Sequence, residues 1–297
     1  MEKNQRKKIL VLGAGGLLGS EVVRFFSKES FDVKATTHAE LDITKGREVA
    51  IWLERLHPDV IINCAAVSNV DACEGNKEFV FNVNAEGVKN LCLPLLEDVG
   101  AKLIHISTDY VFDGTKTTPY VETDSVNPLS VYAESKLKGE VYVQRILPPR
   151  ALILRVQWLY GPKGKSFASS IIQDITEGRY PKKYRFIKDR VGNPTSVTFL
   201  AKAIEVAIEK DLEGIYHLSS TGSASWVDFG KAIFEMSSPS ILSDDIIEAV
   251  KESDIKRPAK RPSYTPFSCK KFEIATGFSV TSWRDQLLET IHTLTVP

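Results

Sequence analysis

The chain has 297 residues, 43% of them hydrophobic and 26% charged, and its formal net charge is zero. This composition is typical of a folded globular protein, and it lacks the excess of positive charge that attracts nucleic acid or an anionic membrane. No apolar run approaches the roughly 20 residues of a membrane span, and the four cysteines show no CxxC pair. The apolar stretch after the basic N-terminus is too short for a secretion signal. We therefore expect a cytoplasmic protein with reduced thiols and no nucleic-acid or membrane partner.

The first predicted strand, Ile9–Leu12, leads into a glycine-rich turn and then a segment with helical spacing, Ser20–Phe26. A strand, a glycine turn and a helix are the context in which a phosphate-binding loop is credible, because glycines let the backbone approach a pyrophosphate at the helix N-terminus. The glycine positions fit either a Gly-x-x-Gly-x-x-Gly or a Gly-x-Gly pattern. The turn predicts dinucleotide-binding residues at Gly13, Gly16, Leu17, Leu18 and Gly19.

The second predicted strand bears on the choice between NADH and NADPH. It ends in Thr36-Thr37-His38, with no acidic residue at its tip. In a site that prefers NAD, an acid usually receives the ribose hydroxyls at this point. Its absence favours NADPH, although no arginine follows, so both NADPH and NADH remain candidate cofactors.

Two further segments are candidates for the adenosine half of the cofactor site. Asp42 and Ile43 could bracket the adenine, although Asp42 could equally begin the helix predicted from Arg47 to Leu56. The next buried strand ends at Ala65 and Ala66. Small side chains at the end of a strand leave room for a cofactor in the crevice there.

A helix predicted over Phe79–Leu96 is followed by a strand over Lys102–Asp109. Repeated alternation of strands and helices predicts an α/β fold, with a doubly wound parallel sheet of the Rossmann type. Thr108, near the end of a central strand, should therefore point into the ligand crevice, where its hydroxyl could hydrogen-bond a substrate carbonyl oxygen.

Tyr132 and Lys136 form a Tyr-x-x-x-Lys pair in the next predicted helix. Residues four apart project from the same helix face, and a nearby ammonium is expected to lower the pKa of a phenol from its ordinary value near 10. The spacing alone is also common on solvated helices. Together with the glycine loop and Thr108, it predicts a catalytic site for proton transfer.

These motifs resemble the extended short-chain dehydrogenases/reductases, most closely their dTDP-4-dehydrorhamnose reductase branch. The resemblance covers nearly the whole chain, and its most specific string is Thr108-Asp109-Tyr110-Val111-Phe112. Other matching stretches include Leu41-Asp42-Ile43-Thr44, Asn63-Cys64-Ala65-Ala66, Gly139-Glu140, Arg155, Trp158-Leu159-Tyr160-Gly161, Gly192-Asn193-Pro194-Thr195 and Pro258-Ala259-Lys260-Arg261-Pro262.

The resemblance implies hydride transfer from NADPH or NADH to the C4 ketone of a nucleotide-linked 6-deoxy-hexulose. It implies Thr108, Tyr132 and Lys136 as catalytic residues, with Tyr132 and Lys136 also at the cofactor, and the spacing of the five histidines separately predicts no metal site. Related dehydratases carry an Asp-Glu pair after the strand-end threonine, whereas this chain has Asp109-Tyr110, so dehydration is disfavoured. The implied substrate-binding residues are Thr108, Asp109, Tyr110, Tyr132, Trp158 and Arg261.

The chain departs from the family pattern in the half expected to hold the sugar and the nucleobase. Arg190 stands where glutamine is common, and Val156-Gln157 replaces a more usual Thr-Ser. The alternatives are therefore a reductase or epimerase acting on another nucleotide sugar, and a catalytically silent nucleotide-binding subunit similar to the regulatory subunit of methionine adenosyltransferase. The resemblance also suggests a homodimer.

The two halves of the chain are predicted to interleave. Residues 1–159 and 191–219 should form the dinucleotide-binding Rossmann domain, and residues 160–190 and 220–297 a smaller substrate-binding lobe. In that lobe the basic run Lys256–Arg261 could hold the substrate diphosphate, for which arginine is a good planar donor. A solvated turn with charged flanks explains the same run.

Overall fold

The computed structural model describes residues 6–28, 31–97, 100–181, 183–240 and 243–295. The outermost residues of the predicted domain ranges, 1–5 and 296–297, lie outside this part of the chain. The strands are β1 (Lys8–Leu12), β2 (Asp32–Thr36), β3 (Val60–Asn63), β4 (Lys102–Thr108), β5 (Ala151–Val156), β6 (Leu159–Tyr160), β7 (Tyr184–Ile187), β8 (Val191–Gly192), β9 (Thr195–Ser196), β10 (Gly214–His217), β11 (Ala224–Ser225) and β12 (Ile247–Val250). The helices are α1 (Leu17–Phe26), α2 (Gly46–Leu56), α3 (Val70–Glu74), α4 (Lys77–Phe81), α5 (Gly87–Glu97), α6 (Val131–Ile146), α7 (Phe167–Glu177), α8 (Val197–Glu209), α9 (Trp226–Ser237), α10 (Ser243–Ile246), α11 (Lys270–Thr276) and α12 (Trp283–Thr295).

Six strands form one sheet in the order β10-β5-β4-β3-β1-β2. Every neighbouring pair in it is parallel. Strands β2 and β3 lie on opposite sides of β1, so the chain reverses its direction of winding there. Leu12 at the end of β1 pairs with Asn63 at the end of β3. In doubly wound sheets the ligand crevice opens outside such a reversal, at the carboxyl ends of the strands.

Helices cover both faces of the sheet, which explains why the strands read as unbroken apolar runs. In β3, Ile62 packs into a core formed with α1 and α8, while its neighbour Ile61 faces the core formed with α2, α5 and α6. Both side chains are fully buried, and burying each contributes roughly 2 kcal/mol. The predicted doubly wound α/β fold is confirmed.

A second group of elements packs around a core that is separate from the six-stranded sheet. Tyr160, Phe229 and Phe234 are fully buried in a separate core that includes residues of α7, α9 and α12. Two short pairs accompany this core: β7 and β12 are parallel, and β8 and β11 are antiparallel. By contrast, Phe267 and Phe272 pack into a core of the main sheet.

The helix predicted over residues 79–96 is wrong in one respect. The structure has α4, then one π-helical turn over Asn82–Glu86, and then α5. Asn84 lies in that turn, and its side chain both accepts a hydrogen bond from Val67 N (2.8 Å) and donates one to Val67 O (2.9 Å). The turn therefore fastens the loop after β3, which forms one wall of the crevice.

Candidate active site

The glycine loop between β1 and α1 approaches the backbone after β3 closely and begins α1 without a side-chain cap. Gly13 has a φ of +73°, and a Cβ there would lie 2.7 Å from the backbone nitrogen of Ala65, so glycine is required. The N-terminal cap of α1 is Gly16, which has no side chain to bond the amides of the first turn. Such amides, at the positive end of a helix dipole, can bind an anion. The loop therefore fits a dinucleotide pyrophosphate.

A cavity of about 310 Å³ adjoins this loop where the adenosine was predicted. Asp42 faces it, but its Oδ1 accepts hydrogen bonds from Thr44 N (3.0 Å) and Thr44 Oγ1 (2.8 Å). The N-cap of α2 is Lys45, so the prediction that Asp42 begins this helix is wrong, while its contact with adenine stays a prediction. The lining includes Gly13, Gly15, Gly16, Thr37, His38, Leu41, Asp42, Ile43, Ala65, Ala66, Phe79 and Val83.

The catalytic residues predicted from the sequence meet in a second cavity of about 380 Å³. It shares Gly16, Cys64 and Ala66 with the first cavity, so the two form one groove along the carboxyl edge of the sheet. The predicted residues that line this cavity are Gly16, Leu17, Leu18, Gly19, Ala66, Thr108, Asp109, Tyr110, Tyr132, Lys136 and Trp158.

Helix α6 presents Tyr132 and Lys136 to the crevice from its first two turns. Ser130 fixes the start of the helix, because its side chain accepts a hydrogen bond from Ala133 N (3.3 Å). Burial raises the pKa of the Tyr132 phenol, and the opposing hydrogen bond comes from Thr108. The expectation that Lys136 lowers this pKa is therefore not met in the structure, and Tyr132 holds its proton at neutral pH.

Lys136 lies deeper than the phenol and bonds to strand β4. Its Nζ donates to the carbonyl oxygen of Ile106 (2.7 Å) and lies 3.4 Å from His105 Nε2. Burial lowers the pKa of Lys136 to about 8, while Glu140 acts in the opposite direction. Burial also holds the pKa of His105 well below its usual range, so the imidazole is neutral beside the ammonium.

Thr108 ends β4, Asp109 follows it, and the two side chains share a hydrogen bond. Thr108 Oγ1 lies 3.2 Å from Asp109 Oδ1, and Thr265 donates to the other carboxylate oxygen at 2.7 Å. Burial nevertheless raises the pKa of Asp109 from 3.8 to about 6. A carboxyl group that titrates near neutrality thus lies directly beside the predicted carbonyl-binding hydroxyl.

Asp109→Asn should stabilise the protein near neutral pH. Because the native state keeps a proton on Asp109 at pH values where the unfolded chain has lost it, this carboxyl makes the free energy of unfolding fall as pH rises from 3.8 to about 6. Removing the titration should raise that free energy by up to about 3 kcal/mol near pH 7 and change it little near pH 4. Urea unfolding at a series of pH values measures the difference.

Asp113→Asn is the control of opposite sign. Hydrogen bonds from Asn127 and Thr115 lower the pKa of Asp113 to about 2, so its stabilising contribution is present above 3.8 and is lost as pH falls through about 2. This variant should be less stable than the wild type at neutral pH. Equal pH slopes for Asp109→Asn and the wild type would show that Asp109 is not a buried, titrating carboxyl.

The Trp158 indole forms the far wall of the crevice. Trp158 has a φ of +45° and stacks on Trp226, with ring centroids 3.8 Å apart. A Cβ at Gly192 would lie 2.5 Å from the Trp158 ring, so the glycine allows the close approach. Trp158, predicted at the sugar site, is thus packed between Gly192 and the Trp226 ring.

Comparison with known proteins identifies the family. The family model described as the RmlD substrate binding domain matches residues 7–296. The chain belongs to the RmlD substrate-binding domain family. The dTDP-4-dehydrorhamnose reductase of Escherichia coli strain K12 is 33% identical over 287 residues, which cover 93% of this chain and 94% of that protein.

Solved structures agree with this membership of the RmlD family. A dTDP-4-dehydrorhamnose reductase from Clostridium acetobutylicum superposes with a TM-score of 0.90 at 36% identity, covering 97% of this chain and 100% of that chain. The enzyme of the same name from Bacillus anthracis, solved in complex with NADP, gives a TM-score of 0.91 at 30% identity, with the same coverage. The resemblance predicted from the motifs is confirmed.

Arg190, a departure from the RmlD-family pattern, lies against the predicted sugar site. Its side chain is almost fully buried, and its Nη2 donates to the Tyr110 hydroxyl at 2.6 Å. Tyr110 in turn meets the Tyr132 ring edge-on, with centroids 6.0 Å apart. Arg190 also acts to lower the pKa of Asp109. The substituted residue therefore positions Tyr110 and adds positive charge behind Asp109.

Arg261 is engaged within the protein. Its guanidinium forms a two-point ion pair with Asp71, at 3.0 and 2.6 Å, and 8% of its side chain is exposed. The solvated-turn alternative for this residue is wrong, and its contact with a substrate diphosphate stays a prediction. The pair joins α3 to the segment that precedes α11.

Sequence reasoning missed several residues of the site in this RmlD-family chain. Phe79 and Val83 line the cavity where the adenosine is predicted, Trp226 backs the indole of Trp158, and Thr265 bonds Asp109. Of these residues, only Phe79 and Val83 gave a signal in the sequence, because they lie four apart in the predicted helix. That spacing of apolar side chains indicated core positions and not a ligand site. Among the described residues, no group of three or more His, Cys, Asp or Glu side chains could hold a metal ion.

Proposed function

We propose that this chain is an NAD(P)H-dependent oxidoreductase that reduces the C4 ketone of a nucleotide-linked 6-deoxy-hexulose, converting dTDP-4-dehydrorhamnose to dTDP-L-rhamnose. The observation that carries the proposal is the convergence of Thr108, Tyr132 and Lys136 in a crevice continuous with the glycine-lined cavity. The names of the relatives supply the substrate. The cofactor is NADPH or NADH, and one relative was solved with NADP.

The protein residues orient the ketone and supply the proton. When bound, NADPH or NADH would supply the hydride that the ketone carbon receives. Thr108 donates a hydrogen bond to the carbonyl oxygen, and Tyr132, which holds its proton at neutral pH, protonates the developing alkoxide. Lys136 would hold the ribose of the nicotinamide. The cofactor contacts proposed here are Gly13, Gly16, Leu17, Leu18, Gly19, Asp42, Ile43, Ala65, Ala66, Tyr132 and Lys136.

The sugar side of the proposed site lies towards the second lobe. Its proposed substrate-binding residues are Thr108, Asp109, Tyr110, Tyr132, Trp158 and Arg261. Residues 1–159 and 191–219 would bind the cofactor, and residues 160–190 and 220–297 the nucleotide sugar. The separate core that holds Tyr160, Phe229 and Phe234 supports this division, although Phe267 and Phe272 pack with the first unit.

For assembly and location, we propose a homodimer in the cytoplasm. Among the described residues, no helix is both long enough and apolar enough to cross a membrane. Light scattering on the purified protein measures its mass in solution, and a monomeric mass at micromolar concentration would exclude the dimer.

Turnover with dTDP-4-dehydrorhamnose tests the function directly. Purified protein should oxidise NADPH or NADH in its presence, and mass spectrometry should find a product two hydrogens heavier. Oxidation of the cofactor only in the presence of other nucleotide ketosugars would identify a reductase with a different substrate. Tight cofactor binding without oxidation by any ketosugar would identify a silent nucleotide-binding subunit instead.

A further inference from the structure

Glu40 folds back over the tip of β2, where the sequence shows no acid. The turn after the strand brings Glu40 N to within 3.1 Å of the Thr37 carbonyl oxygen. The Glu40 carboxylate then accepts hydrogen bonds from Thr37 N (2.8 Å) and from Thr37 Oγ1 (2.9 Å). Both donors hold the pKa of Glu40 below its usual value, so the carboxylate is charged at neutral pH.

Thr37, which holds this carboxylate, lies beside the proposed dinucleotide site. Ala14 of the glycine loop donates to the Thr36 carbonyl oxygen at 3.0 Å, and a Cβ at Gly15 would lie 3.8 Å from Thr37 Cγ2. Thr37 and His38 line the adenosine cavity. The tip of β2 is where the adenosine ribose lies in folds of this kind.

The chemistry at this point distinguishes the two cofactors. A ribose 2′-hydroxyl donates a hydrogen bond and suits a carboxylate, whereas a 2′-phosphate needs donors and positive charge. The donors that the Thr37 backbone and hydroxyl offer are already bound to Glu40. Two nearby basic side chains already interact with carboxylates. Lys34 acts to lower the pKa of Glu40, and His38 Nδ1 lies 3.8 Å from Asp42 Oδ1.

We propose that Glu40 is a specificity-determining residue that makes this chain prefer NADH to NADPH. An internal anion occupies the donor pair that a 2′-phosphate would use, so NADPH must displace it or lie against it. The inference rests on the proposed function, because it names the cofactor of that same site. It also reverses the preference for NADPH that the absence of an acidic residue at the end of β2 favoured.

Cofactor binding without sugar tests the inference. Dissociation constants of NADH and NADPH would be measured by calorimetry on the full-length wild type, on Glu40→Gln and on Glu40→Ala. Wild type should bind NADH at least about fivefold more tightly than NADPH, and Glu40→Gln should shift the ratio towards NADPH by about tenfold, because it removes a charge that repels the phosphate. Glu40→Ala, which also frees both Thr37 donors, should shift it at least as far. Because the carboxylate is exposed, the preference of the wild type should weaken as salt is added.

Glu54→Gln is the matched control. It removes the same charge from an exposed glutamate at a different cavity. Its ratio of NADH to NADPH dissociation constants should therefore equal that of the wild type. A ratio that is unchanged in both Glu40 variants overturns the inference and leaves the reductase assignment intact. Failure of the wild type to bind either nucleotide would refute the reductase assignment, and the inference with it.

Discussion

Tyr132→Phe should lower kcat for sugar reduction by at least about 10²-fold, the scale of a missing general acid. The substitution removes one oxygen from a side chain that lines the crevice beside Thr108. Burial raises the pKa of the phenol, so at neutral pH the group is a proton donor, which is what reduction of a ketone requires. The variant should bind cofactor with a dissociation constant within about threefold of the wild type, since a phenyl ring keeps the same packing.

Tyr142→Phe separates this effect from a general effect on α6. Tyr142 lies on the same helix, and its hydroxyl donates to Glu86 (2.6 Å) away from the crevice. Its kcat should stay within about twofold of the wild type, because the lost hydrogen bond is partly exposed. Steady-state oxidation of the cofactor measures both variants. If Tyr132→Phe retained more than a tenth of the activity, another group would have to deliver the proton.

The layout of the sheet follows from local patterns in the sequence. Short apolar runs such as Ile9–Leu12 are buried on both faces, and the glycines that follow mark the turn into α1. The π-helical turn at Asn82–Glu86 could not be predicted in this way, because it accompanies a contact between Asn84 and Val67 across 17 positions. Periodicity carries no information about a side chain that bonds to a distant backbone.

The sequence predicted which residues form the site better than it predicted their chemistry. The motifs placed Thr108, Tyr132 and Lys136 in one crevice, and the structure brings them together. The direction of the Tyr132 pKa was not predictable from spacing, because burial outweighs the neighbouring groups. Glu40 was overlooked for a similar reason, since it reaches the strand tip through a turn and not from the strand itself.

Behind the active site, a buried ion pair fastens α6 to the sheet. Arg155 on β5 donates to the Glu140 carboxylate at 2.9 and 2.7 Å, and Ser107 on β4 donates to the same group. Both charged side chains are at most 4% exposed, and the guanidinium lies 5.2 Å above the Phe112 ring. The Gly-Glu motif of α6 and the arginine of β5 thus form one interaction.

Glu140→Gln should reduce the free energy of unfolding by about 3–5 kcal/mol, because it leaves the Arg155 guanidinium buried without a counter-charge. Arg155→Met should cost a similar amount. The double variant should be less destabilised than the sum of the two, since neither uncompensated charge remains. Urea unfolding followed by tryptophan fluorescence gives all three values.

Glu289→Gln is the control for Glu140→Gln, because Glu289 pairs with Lys202 at 2.7 Å while about half of its side chain is exposed. That pair should contribute less than about 1 kcal/mol. Equal costs for the two glutamine variants would mean that water reaches the Glu140 carboxylate.

The buried pair also bears on catalysis: Glu140 acts to raise the pKa of Lys136, which lies one helical turn away. Glu140→Gln should therefore move the alkaline limit of activity to lower pH, whereas a change in stability alone would leave that limit in place.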